Sequence, residues 1–261
     1  MGKLSSWKMV AILGAIFALG SCQREPATPW QQTTLAPETL DSLGYPPFLV
    51  DAQTAARYRQ QGLTFRQQGN LERSIATLKI ATALDPRNPE GQVLLGWTQH
   101  LAGFAAPAIA ALQTALLVSP DHVPALNALG IVYLVDGQLE AAVETHTKAA
   151  TLQPDNEIAH YNLSLAYQRL GQSEQAIAEA ETATELEPGN PHPWVALALA
   201  HWTADDQSQA IANYRQALAL DGRYTSRGYL DHLEQAGFSQ DQIETTEAIR
   251  QAAGGKAVEL W

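Results

Sequence analysis

Proline stands at positions 86, 120, 154 and 188 and glycine at 69, 103, 137 and 171, each series advancing by 34 residues. The same clock runs on with substitutions, Gly222 taking the next proline slot and Asp205 the next glycine slot. A strict period of this length restricts the chain to stacked copies of one supersecondary unit, since only such a stack makes the same backbone requirement recur at a fixed interval. Glycine supplies the permissive backbone of a turn and proline cannot continue a helix, so each period reads as two helices joined by a turn.

Counting repeats as 55–88, 89–122, 123–156, 157–190 and 191–224 exposes the packing logic. The eighth position is Gly62, Gly96, Gly130, Ser164 and Ala198, and the twentieth is Ser74, Ala108, Ala142, Ala176 and Ala210. Small residues at both places let two antiparallel helices approach closely. Position twenty-seven is alanine throughout (Ala81, Ala115, Ala149, Ala183, Ala217), while Phe65, Tyr133, Tyr167, Leu78, Leu112 and Tyr214 fill the spaces between. Asp121, Asn156 and Asn190 are candidate N-caps, and Pro107, Pro124 and Pro191 fall in first turns, where proline is tolerated. This pattern resembles the tetratricopeptide repeat (TPR) family over residues 55–222. The resemblance implies an all-α, right-handed superhelical solenoid of antiparallel helix pairs. Residues 225–253 are expected to form a degenerate sixth repeat or a capping helix pair, Thr225 to Ala236 and Ser239 to Ala253, with Ser239 and Gln242 as a capping box, followed by a tail at 254–261.

The N-terminus carries a different signal. Lys3 and Lys8 precede an apolar stretch from Met9 to Leu19, and Leu19-Gly20-Ser21-Cys22 closes it, the layout of a cleaved secretory signal at 1–21. The ending resembles the bacterial lipobox, which implies a lipid anchor on Cys22; an incidental thiol after an ordinary signal or an uncleaved anchor is the alternative. The apolar core is shorter than the roughly 20 residues that span a bilayer. With both lysines cytoplasmic, the remainder faces a periplasm or other extracytoplasmic compartment, at an inner, outer or thylakoid membrane. Residues 22–50 hold Pro26, Pro29, Pro37, Pro46 and Pro47 and read as an extended spacer, with Trp30, Tyr45 and Phe48 along it.

Net charge is −11, and only one cysteine is present, so a phosphate-binding surface, a disulfide framework and a multi-thiolate zinc site are all disfavoured. There is no P-loop, no HExxH and no Gly-x-Ser-x-Gly elbow, and seven scattered histidines show no metal-ligand spacing. The chain is therefore expected to be non-enzymatic, with no cofactor, no metal, no nucleic acid and no small-molecule substrate. The family resemblance places a partner-binding groove on the first helix of each pair, here at Arg59, Arg66, Trp97, His100, Asn127, Ile131, Tyr161, Gln168, Arg169 and Trp202. The Lys and Asn clamp by which some TPR domains hold chaperone tails is absent. An apolar, aromatic groove suits an extended peptide or an amphipathic helix of a client protein. The expected role is a membrane-tethered assembly or biogenesis scaffold; the alternatives are a regulator that docks an envelope hydrolase and a photosynthetic-complex assembly factor in the thylakoid lumen.

Overall fold

The computed structural model describes residues 50–254. The leader, Cys22, the proline-rich spacer up to residue 49 and the tail from residue 255 lie outside the described residues. Five helix pairs follow one another: α1 (Ala52–Gln67) with α2 (Leu71–Leu84), α3 (Pro89–Leu101) with α4 (Ala105–Val118), α5 (Val123–Val135) with α6 (Leu139–Leu152), α7 (Glu157–Arg169) with α8 (Ser173–Leu186), and α9 (Pro191–Thr203) with α10 (Gln207–Leu220). Each helix packs on its partner and on the next pair, and the first helices α3, α5, α7 and α9 lie side by side. Every regular element among the described residues is helical, and none is long and apolar enough to cross a membrane.

The period has a backbone origin. Gly69, Gly103, Gly137 and Gly171 all take φ of 72 to 80°, the left-handed conformation that ends a helix without a Cβ penalty. Around Gly69 the Asn70 amide donates to the Phe65 carbonyl and the Gly69 amide to Arg66, and the same pair of bonds recurs at each turn, so orphan carbonyls are satisfied within it. Asp205 keeps both bonds, its own amide donating to Trp202 and that of Asp206 to His201, but at φ 62° with a side chain attached. Asp205→Gly is expected to raise stability by about 0.5–1 kcal/mol, the relieved left-handed strain being partly offset by glycine's freer unfolded state. The shift in urea midpoint checks this, and an unchanged midpoint would mean that the aspartate side chain compensates locally.

At the other end of each pair, the residue before the periodic proline donates its amide to the alanine of position twenty-seven, as Asp85 does to Ala81 and Ser119 to Ala115. These alanines, and the small residues of position twenty, are buried to within 1%. Position eight faces position twenty-four across the pair. A Cβ on Gly62 would lie 2.7 Å from Leu78 Cγ, and one on Gly96 would lie 2.7 Å from Leu112 Cγ. In the third pair His146 takes the leucine's place and its ring fills the notch at Gly130.

Two expectations are corrected. The N-cap of α5 is His122, whose Nδ1 accepts from the Ala125 amide at 3.2 Å, rather than Asp121. Asn156 does precede α7, but its side chain makes no cap; it exchanges two hydrogen bonds with Asn127, at 2.9 and 3.2 Å, tying α5 to the start of α7. Asn190 caps α9 through the His192 amide.

Residues 225–236 do not form a regular helix. A 3-10 turn (Gly222–Thr225), one turn of helix α11 (Arg227–Leu230) and a second 3-10 stretch (Asp231–Ala236) lead through Gly237, at φ 91°, into α12 (Gln240–Gly254). Tyr224 explains the break. It is fully buried, its carbonyl accepts from the Tyr214 hydroxyl, and its own hydroxyl meets His232 Nε2 at 3.2 Å, so the chain is pinned where a helix would have carried it outward. The Ser239 and Gln242 capping box closes reciprocally, and α12 packs on α9 and α10. The main core consequently runs from Ala108 to Ala253, whereas a small separate cluster of Leu78, Leu95 and Ala111 serves the first two pairs.

Candidate functional site, a trough on the inner wall

The inner faces of α3, α5, α7 and α9 form a wall, and the returning C-terminal segment closes one side of it. The Tyr161 hydroxyl donates to the Ala236 carbonyl at 2.7 Å, the Phe238 ring lies 6.3 Å from that of Tyr161, and Gln242 Nε2 donates to the Leu165 carbonyl and to Gln168 Oε1. At Gly237 a Cβ would meet Asn162 Oδ1 at 3.5 Å and Leu134 and Leu165 methyls at 3.6–3.7 Å, so glycine serves both the turn and the close approach. The wall of the fourth and fifth pairs is thereby ordinary core: Leu165, Val195 and Leu199 are buried to 1% or less.

What stays open is a trough of about 840 Å³ toward the second and third pairs. Its apolar lining comes from Trp97, Leu101, Ile131, Val135, Ile158 and Tyr161. Leu101, Val135 and Ile158 are each roughly half exposed, so the trough gathers three of the large apolar side chains that the fold leaves accessible. The polar lining is His100, Glu157, Asn162, Asn190, His192, His232 and the stretch 234–237. Burial pushes His100 below the usual imidazole range, and burial together with His232 does the same to His192. His192 Nε2 and His232 Nε2 stand 3.3 Å apart, and the carbonyl of Tyr229 holds His232 Nδ1. The Glu157 carboxyl is pushed up to about 7 by burial first and by the Glu187 carboxylate second, against a smaller opposing effect of His160.

Of the ten groove residues expected from the sequence, Trp97, His100, Ile131 and Tyr161 line this trough. Arg169 borders an adjoining cleft of about 250 Å³ and donates through Nη1 to the Leu134 carbonyl at 2.6 Å. The others are placed elsewhere. Arg59 pairs with Asp85 at 3.5 Å, Asn127 with Asn156, and Gln168 with Gln242, while Trp202 packs half-buried against the main core. Arg66 has a buried Nη1 without a hydrogen-bond partner among the described residues, and its burial lowers the guanidinium's proton affinity. Cys22 lies outside the described residues. Glu157, Ile158, Asn190, His192 and the 232–237 segment were missed by sequence reasoning. The first four sit at or beside helix N-termini, Ile158 and His192 at the second position of their repeats, which belongs to the family's groove set but was not carried over, and Glu157 and Asn190 outside that set; the last reaches the wall only through the fold-back. Among the described residues no group of three or more His, Cys, Asp or Glu side chains is placed to hold a metal ion.

Four family models match the chain: "Tetratricopeptide repeat" at residues 59–106, 158–190 and 191–224, and "TPR repeat" at 135–171. No curated protein matches. Among solved structures, MamA 41-end from Desulfovibrio magneticus RS-1 superposes with a TM-score of 0.60 at 23% identity, over 67% of this chain and 98% of that one. A crystal structure of MamA gives 0.56 at 24%, over 62% and 95%. TTC0263, a thermophilic TPR protein of Thermus thermophilus, gives 0.54 at 22%, over 75% and 98%. These likenesses bear on the fold, an all-helical solenoid of helix pairs. With the matched repeats covering 59–106 and 135–224 and the left-handed turn recurring through five helix pairs, the chain belongs to the tetratricopeptide repeat proteins.

Proposed function

We propose that this chain is a non-enzymatic scaffold, tethered to a membrane by a lipid on Cys22 and facing an extracytoplasmic compartment, which holds a segment of a client protein during assembly or biogenesis of a larger complex. The observation that carries the reading is the open trough of about 840 Å³, lined by Trp97, Leu101, Ile131, Val135 and Ile158. Apolar side chains in a concave wall, rimmed by polar groups, are the usual makings of a protein-binding surface. The fold class adds to it, since TPR arrays typically act by binding other proteins and not by catalysis. The proline-rich spacer would hold the trough clear of the membrane.

A photoreactive residue at Trp97 or at Leu101, introduced in the living cell, tests the reading. Capture of the same protein from both sites, and not from the exposed face at Glu181, is the expected result; its identity separates an assembly client from a hydrolase or a photosynthetic subunit. Equal capture from Glu181, or none from the trough, would overturn it. The tether is tested separately. Cys22→Ala is expected to move the protein from the detergent phase to the aqueous phase on partitioning, because stable anchoring needs the acyl chains, and unchanged partitioning would remove the lipid from the proposal.

A further inference from the structure

Two carboxylates line the trough, Glu157 and Glu234, and neither has a hydrogen-bond or ion-pair partner among the described residues. Among the described residues that line it there is no lysine or arginine. Arg169, which shares the adjoining cleft with Glu234, is committed to the Leu134 carbonyl. The imidazoles supply little of the missing charge: His100 and His192 are held below the usual range by burial, His232 Nε2 is engaged by Tyr224 and His192, and His160, whose effect on Glu157 is the smallest of the three acting on it, is bonded to Glu179 at 2.6 Å. Glu157 is half-buried where the trough of Trp97, Ile131, Ile158 and Tyr161 borders a smaller polar cleft, from which the Glu187 carboxylate faces it as a like-charged neighbour. A partly desolvated carboxylate in such a wall lacks the cation that would stabilise it.

Resting on the trough as the client site, we infer that its occupant is a segment in which one lysine or arginine stands among apolar residues, the cation seated against Glu157 and the apolar side chains against Trp97, Leu101 and Val135. The chain's net charge of −11 favours the approach of such a segment. Binding is then coupled to a proton. A carboxyl held near 7 in the free protein and returned to the ordinary range by an arriving cation releases up to about half a proton at pH 7.

The test is a selection of random peptides of about 12 residues, displayed on phage, against the purified full chain, followed by calorimetry of the selected peptides. The expected peptides carry Lys or Arg between apolar residues. Their affinity falls by about tenfold or more when that cation is exchanged for Gln or when the protein carries Glu157→Gln. Titrations at pH 7 in phosphate and in Tris differ in heat by the released proton, and the difference vanishes in Glu157→Gln, an isosteric change that removes the repulsion with Glu187 and is expected to raise the melting temperature at pH 7. Peptides that require Trp97 yet carry no cation and ignore Glu157→Gln would overturn the inference while leaving the trough as the client site. If no selected peptide loses binding in Trp97→Ala, both readings fail together.

Discussion

Between pH 6.5 and pH 3 the chain is expected to lose several kcal/mol of stability that the variant His146→Leu retains. An unfolded imidazole binds its proton near 6.5, whereas in the fold burial holds His146 down to about 3, against a smaller opposing pull of the Gly130 backbone. The contribution is therefore complete above pH 6.5, and each unit below that removes about 1.4 kcal/mol until the folded value is reached. The neutral ring is itself costly. Both of its nitrogens are buried and neither makes a hydrogen bond of full geometry, the Gly130 backbone supplying only the weak opposing effect, a shortfall of about 1–3 kcal/mol for such groups. Leucine removes both effects and has a tested shape, since Leu78 and Leu112 occupy the corresponding notches at Gly62 and Gly96. Urea midpoints at pH 7.5, 5.5 and 4.5 should show the variant more stable throughout, with a gap that widens as pH falls. Glu247, held down to about 2 by Arg250, and Asp221, held low by Arg223, titrate in both proteins and cancel in the difference. A constant gap would mean that the folded protein protonates His146 readily.

Phe238→Ala is expected to cost about 3–5 kcal/mol, the range for emptying a buried aromatic site. Phe238 is only 3% exposed and sits immediately after the left-handed Gly237, where the chain turns into α12. Its loss weakens the docking of the whole returning segment, so Tyr161 and Leu165 should become accessible and the amides of α12 should exchange faster. A cost near zero, with unchanged exchange, would show that the segment is held by α9 and α10 alone and that the inner wall gains nothing from it.

The period of 34 made the repeat architecture readable because it records local requirements: a left-handed residue at 69, 103, 137, 171 and 205, and small residues where helices touch. It carries no information about what happens where the period stops. The closing contacts of Tyr161 with Ala236 and of Leu165 with Gln242 join residues 75 and 77 apart and depend on the aperiodic anchors Tyr224 and Phe238. Hence the groove expected on five repeats is open on fewer, and Gln168 and Tyr161 face the chain's own C-terminal segment. Trp97, His100 and Ile131 were legible from helix register alone. His192 stands at the second position of its repeat, a groove position of the family that was left out of the expected set, whereas Glu157 at the first position was not legible, since it reaches the trough only where the returning segment walls it in. His146 was visible as a departure in the column of Leu78 and Leu112, yet among scattered histidines its burial has no sequence mark. Asp121 lost the capping role to His122 because the helix begins at Val123, one residue later than that cap requires.

The return of the C-terminal segment also changes what kind of polymer the array is. An open stack of repeats behaves as a one-dimensional chain in which each unit senses only its neighbours, so it frays from either end and tolerates added or deleted units. Contacts spanning 75 to 77 residues convert the last two pairs and the C-terminal segment into a closed loop whose members must order together. Closing that loop costs chain entropy that a linear array of equal size does not incur, so slower folding is expected of it. The first two pairs, with their small separate cluster around Leu78 and Leu95, remain outside the loop. This molecule therefore has a graded end and a locked end, and lengthening by repeat duplication is open to it on the N-terminal side alone.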